Sequence, residues 1–142
     1  MIVVDVNLLL YATVESFPQH DRTRIWWEGA INDGTPIGLP APSLFGFVRV
    51  ATNQRVLATP MTTARAVGYV REWLGQPNIT FLPPGPEHVD IALGLLENLA
   101  TAGNLTTDVQ LAAIAIEYDA EICSNDTDFG RFPEVRWLNP IQ

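Results

Sequence analysis

Four aspartates stand where a carboxylate could do chemistry: Asp5, Asp108, Asp126 and Asp128. Asp5 ends the apolar run Met1-Ile2-Val3-Val4, which reads as a short buried strand. It would sit at the strand's carboxyl end, beside the crevice where open α/β sheets bind ligands. Asp108 falls in the first turn of an expected helix, and Asp126 and Asp128 follow the strand-like Glu121-Ile122-Cys123-Ser124. Each has an ordinary use, as a cap, as a partner of the helix dipole, or as a turn-former bonding its own backbone. Gathered at one sheet edge they would differ, because three or four crowded carboxylates cannot all stay ionised without a compensating cation. Hard oxygen ligands select Mg²⁺ or Mn²⁺, and such a site can activate water and neutralise charge growing on a phosphodiester.

The elements that must position these acids follow in order. After Asp5 a short helix is expected over Asn7 to Ala12, with Asn7 as a possible cap. A second helix is expected from about Pro18 to Asn32, ended by Asp33-Gly34, then a strand over Pro36 to Pro40. Ala41-Pro42-Ser43 opens a third helix reaching about Val56, and a fourth spans Thr63 to Leu74. Asn78 to Leu82 alternates like a strand, Pro86 and Glu87 start a helix to about Ala100, and Gly103-Asn104 punctuates it. Thr106 or Thr107 is expected to cap a helix over Asp108 to Tyr118, followed by strands at Glu121 to Ser124 and Val135 to Leu138. Strands and helices alternating in this way imply crossover connections, a mostly parallel sheet and helices on both faces. The expectation is one domain over residues 1–142, a three-layer α/β/α sandwich.

Composition narrows the classes. The 142 residues are 47% hydrophobic and 17% charged, as suits a well-packed core. The net charge is −8, and all 8 basic residues are arginines. Without lysine, a receiver-type phosphorylation site loses a group its chemistry needs, and the net negative charge argues against non-specific nucleic-acid binding through a basic face. A bound divalent cation could still reverse the field locally. There is 1 cysteine, Cys123, in an apolar run, so a buried thiol is expected and an intrachain disulfide is impossible. No basic run precedes an apolar one at the N-terminus, and no apolar run approaches 18 residues. A cytoplasmic protein without a membrane segment is the expectation. Neither phosphate-binding glycine motif occurs, and His20 and His88 lie at expected helix starts rather than beside a nucleophile. Trp26 and Trp27 are adjacent and cannot both face one core, so one is expected near an interface.

The order and spacing of Asp5-Val6-Asn7-Leu8-Leu9, Leu105-Thr106-Thr107-Asp108 and Ser124-Asn125-Asp126-Thr127-Asp128-Phe129 resemble the PIN-domain nucleases. The likeness is strongest to the VapC-type ribonuclease toxins of toxin–antitoxin pairs, and Gly46-Phe47-Val48-Arg49 is similar to one branch of them. The resemblance implies Mg²⁺- or Mn²⁺-dependent cleavage of RNA, leaving a 3′-hydroxyl and a 5′-phosphate. It also implies a cognate VapB-like antitoxin as partner and a homodimer. By the same resemblance Asp5, Asp108 and Asp126 are metal-site acids, Asp128 joins them in catalysis, and Asn7 and Ser124 orient carboxylates and water. Many members carry a glutamate in the third helix near the position of Gly46, whereas Ser43 to Asn53 holds no acid here. A PIN-fold binding module that cleaves RNA poorly is therefore the competing expectation.

Overall fold

The computed structural model describes residues 1–101 and 103–142, with only the backbone described at 104. Five short strands, β1 (Ile2–Val4), β2 (Ile37–Pro40), β3 (Ile79–Leu82), β4 (Glu121–Cys123) and β5 (Trp137–Leu138), form one sheet in the order β3-β2-β1-β4-β5. Every pairing is parallel, with Val3 opposite Gly38 on one side and Ile122 on the other. The helices are α1 (Val6–Thr13), α2 (His20–Asn32), α3 (Ala41–Ala51), α4 (Thr63–Leu74), α5 (His88–Glu97) and α6 (Thr106–Glu117).

The strands carry apolar residues on both faces because both are covered. Val4, Leu39, Ile79 and Cys123 pack under α1 to α4, with Phe47, Trp27 and Trp73. Val3, Ile122 and Leu82 pack on the other face against α5 and α6, with Val109, Ile114 and Phe129. The expected three-layer sandwich is therefore observed. Trp27 is buried at 5% exposure, while its neighbour Trp26 is half-buried at the edge of that layer. Cys123 is buried, and burial pushes its thiol up to about 12, so it serves as a small core hydrophobe.

Helix boundaries differ from the expected ones where other hydrogen bonds intervene. Asp5 rather than Asn7 caps α1, its Oδ1 accepting from the Val6 amide at 2.8 Å. The third helix stops at Ala51 instead of Val56, because Met61 returns its amide to the Ala51 carbonyl and Asn53 Oδ1 turns the chain by accepting from Arg55. Helix α6 starts at Thr106 with Leu105 at the cap position and no side-chain cap; Thr106 instead donates back to the Gly103 carbonyl. No helix among the described residues is long and apolar enough to cross a membrane.

Candidate metal centre

Because β1 and β4 are neighbours in parallel, Asp5 and Ser124 leave the sheet side by side at its carboxyl edge. The Asp5 amide donates to the Cys123 carbonyl at 3.0 Å, which fixes this register at the last residue before the site. Ser124, fully buried, uses its whole hydrogen-bonding capacity there. Its Oγ donates to Asp5 Oδ2 at 2.7 Å and accepts from the Asp126 amide at 2.9 Å and from Asn7 Nδ2 at 3.2 Å. Asn7 Oδ1 in turn accepts from the Asn125 amide at 3.3 Å. One hydroxyl thus binds the end of β1, the start of α1 and the loop after β4 into one unit.

That loop turns immediately into a single 3₁₀ turn, Thr127–Arg131, capped by Asp126, whose Oδ1 accepts from the Asp128 amide at 2.9 Å. The turn aims Asp126 and Asp128 toward the N-terminal end of α6. There Asp108 completes a group in which oxygens of Asp108, Asp126 and Asp128 all lie within 4.8 Å of one another. Arg131 closes the rim, its Nε 3.3 Å from Asp128 Oδ1.

The electrostatics follow from this crowding. A carboxylate in the first turn of a helix is ordinarily favoured in its charged form. Asp108 is nevertheless raised to about 7, first by burial and then by the negative charges of Asp5, Asp126 and Asp128. Asp5, only 8% exposed, is also raised, chiefly by burial and further by Asp126, against the hydrogen bonds from Ser124 and Val6. An all-oxygen donor set with unneutralised charge fits a hard divalent cation.

The proposed site residues thus occupy two tiers. Asp108, Asp126 and Asp128 form the close group, whereas Asp5 stands beside it with both carboxylate oxygens already hydrogen-bonded within the chain. Asn7 and Ser124 contact Asp5 or its loop as described. The third helix contributes no carboxylate, and the structure supplies a reason. A Cβ on Gly46 would stand 2.6 Å from Val6 Cγ2, so Val6 fills the space that a side chain there would need. Helix α3 is tied to the site by Ser43 Oγ, which donates to the Val4 carbonyl at 2.6 Å.

The family model of the PIN domain matches residues 2–135. Ribonuclease VapC33 of Mycobacterium tuberculosis is 60% identical over 142 residues, covering 100% of this chain and 99% of its own. The chain belongs to the PIN-domain family, in its VapC branch. Ribonuclease VapC37 of the same organism is 37% identical over 140 residues, 99% of this chain and 97% of that one. Among solved structures, VapBC2 from Rickettsia felis, bound to a DNA fragment from its promoter, aligns with a TM-score of 0.69 at 18% identity over 98% of both chains. FitAcB from Neisseria gonorrhoeae aligns at 0.65 and 19% identity over 99% of this chain and 98% of that one. These likenesses extend the PIN fold over the whole sheet and both helical layers.

Three further residues border this PIN site. Arg131 lies 3 positions after Asp128, a spacing that could have suggested contact across a single turn. Trp137 Nε1 donates to the Ser124 carbonyl at 3.0 Å, and Asn139 Nδ2 donates to Asn125 Oδ1 at 3.0 Å. Nothing local marks those two, because their partners lie more than ten positions away.

Proposed function

We propose that this chain is a divalent-cation-dependent endoribonuclease, the toxin of a toxin–antitoxin pair, acting on RNA at the acidic edge of the sheet. The observation that carries the reading is the close group of Asp108, Asp126 and Asp128, with Asp108 raised to about 7. The name of its 60%-identical relative, a ribonuclease, supports the same chemistry. Mg²⁺ or Mn²⁺, when bound, supplies charge neutralisation at the phosphodiester and acidifies a coordinated water.

The chain's own residues divide the remaining work. Asp108, Asp126 and Asp128 would hold the cation, with Asp5 beside them as a carboxyl that Ser124 keeps in one orientation. Asp108, raised to about 7, would have to lose its proton to act as a ligand, so cation binding should strengthen as pH rises. Arg131 offers the RNA phosphate a guanidinium at the rim, opposite the carboxylate it holds in the free protein. Arg24 is committed to Glu28, which leaves exposed Arg22, Arg49 and Arg55 as more distant guides for the backbone.

The partner is a small antitoxin protein, and the toxin itself is a homodimer. The R. felis neighbour, described as VapBC2, supports the first. The exposed Phe45, Leu74 and Phe81, lining a groove of about 420 Å³ between α3, α4 and β3, support a protein partner at that face.

Purified protein incubated with total cellular RNA and Mn²⁺ should yield discrete fragments ending in a 5′-phosphate. The fragments should vanish with EDTA and with Asp108→Asn. Cleavage that persists in both controls would reject the reading, and intact RNA with an intact fold would move it to a PIN-fold binding module.

A further inference from the structure

The loop that carries Asp126 and Asp128 is held from behind by the C-terminal segment. The Ser124 amide donates to the Leu138 carbonyl at 3.1 Å, which is ordinary strand pairing. Two further contacts are not. Trp137 reaches back with its indole N–H to the Ser124 carbonyl at 3.0 Å, and Asn139 donates to Asn125 Oδ1 at 3.0 Å. Asn139 is itself fixed, because its Oδ1 accepts from the Ile141 amide at 3.2 Å and Ile141 is buried in the layer under α1 to α4. The Asn125 amide continues the line to Asn7, and Asn7 continues it to the Ser124 hydroxyl that holds Asp5 and Asp126. Three asparagines, Asn139 and Asn7 donating through Nδ2 and Asn125 through its backbone amide, thus connect the buried tail to the acids.

We propose that segment Trp137–Ile141 is a clamp on the acidic loop, with Trp137 and Asn139 as positioning residues that set the aim of Asp126 and Asp128 through Ser124 and Asn125. The physical logic is that of groups outside the ligand set that hold ligands in one orientation; removing them typically weakens metal binding about 10- to 100-fold without touching the ligands. Asn125 is the element that distinguishes this from plain edge-strand pairing. Its side chain faces the tail and its amide faces Asn7, so a slack tail frees the loop at the residue preceding Asp126. The inference rests on the metal-site reading above for its consequence, and on the hydrogen-bond geometry alone for the clamp.

The test uses the full chain as wild type, Asn139→Ala, Asn125→Ala, the double variant and Trp137→Phe. Mn²⁺ affinity is measured by electron paramagnetic resonance, and amide hydrogen exchange is followed in metal-free protein. Asn139→Ala and Trp137→Phe should each weaken Mn²⁺ about tenfold. Exchange of the Asp126 and Asp128 amides should quicken by a similar factor while that of β1 and the middle of α6 stays unchanged. The double variant should match the single ones, because the two asparagines act through each other. Arg136→Ala, which removes the ion pair to Asp119 from the same segment, should leave both readouts alone. Unchanged exchange at Asp126 and Asp128 overturns the clamp, as does equal loosening in Arg136→Ala or additive losses in the double variant. If the wild type bound no Mn²⁺ while those amides still responded, the clamp would stand and the metal-site reading would fall.

Discussion

The two ends of α6 treat a carboxylate in opposite ways. At its C-terminal end Glu117, 9% exposed at the side chain, accepts from the Gly85 amide at 3.1 Å and lies 3.4 Å from His88 Nδ1. A side chain on Gly85 would collide with the same carboxylate, so the β3–α5 loop is shaped around it. At the N-terminal end Asp108 meets Asp5, Asp126 and Asp128 instead, and is raised to about 7. One acid is given a backbone donor, the Gly85 amide; the other is surrounded by groups that cannot donate while ionised. Burial of a carboxylate is therefore no sign of function in itself, whereas burial among like charges is.

Substitutions at the two ends should separate cleanly. Asp126→Asn keeps the oxygen that caps the 3₁₀ turn and removes the charge. It should lower RNA cleavage by on the order of 100-fold or more, since even groups outside the ligand set cost up to that much. Single-turnover cleavage at fixed Mn²⁺ measures it. Glu117→Ala should do the reverse, leaving Mn²⁺ affinity unchanged while costing about 1–3 kcal/mol of stability, because the Gly85 amide loses its acceptor. Chemical denaturation compares it with wild type. Asp5→Ala is the poorer probe of the candidate metal site, since it also strips acceptors from Val6 and Ser124 and should lower the melting temperature.

A further effect is one of pH. A carboxyl raised from 3.8 to about 7 in the folded state keeps a proton that the unfolded chain has already released. The metal-free protein should then lose stability as pH rises from about 4 to about 7, the folded form binding more protons across that window. Asp108→Asn should flatten this slope and be neutral or stabilising at pH 7. A melting temperature that rises between pH 4 and 7 in wild type, or a clear loss in Asp108→Asn, would return Asp108 to an ordinary capping role.

Much of this was legible in the chain because it rests on local pattern. The runs before Asp5 and Ser124 are apolar and short, so they had to be buried strands, and parallel pairing brings their ends together. Asp108 announces itself by its place in a first turn. What escaped was set by contacts distant in sequence. As a helix cap Asn7 was misplaced, since Asp5 does the capping; its orienting role came only through the family likeness, and the contacts that carry it, to Ser124 and Asn125, lie far off in the chain. The end of α3 depended on Met61 returning to Ala51, which no helical periodicity encodes. Gly46 showed that an acid was missing; only the packing of Val6 against it shows why the position accepts no side chain.

The most direct test is a Mn²⁺ titration, followed by electron paramagnetic resonance at pH 6 and pH 8, of wild type, Asp108→Asn and Glu117→Gln. Binding that is tighter at pH 8 than at pH 6, lost in Asp108→Asn and retained in Glu117→Gln is the expected result. Equal binding by wild type and Asp108→Asn would contradict the assignment of the acids at the head of α6 as a cation site.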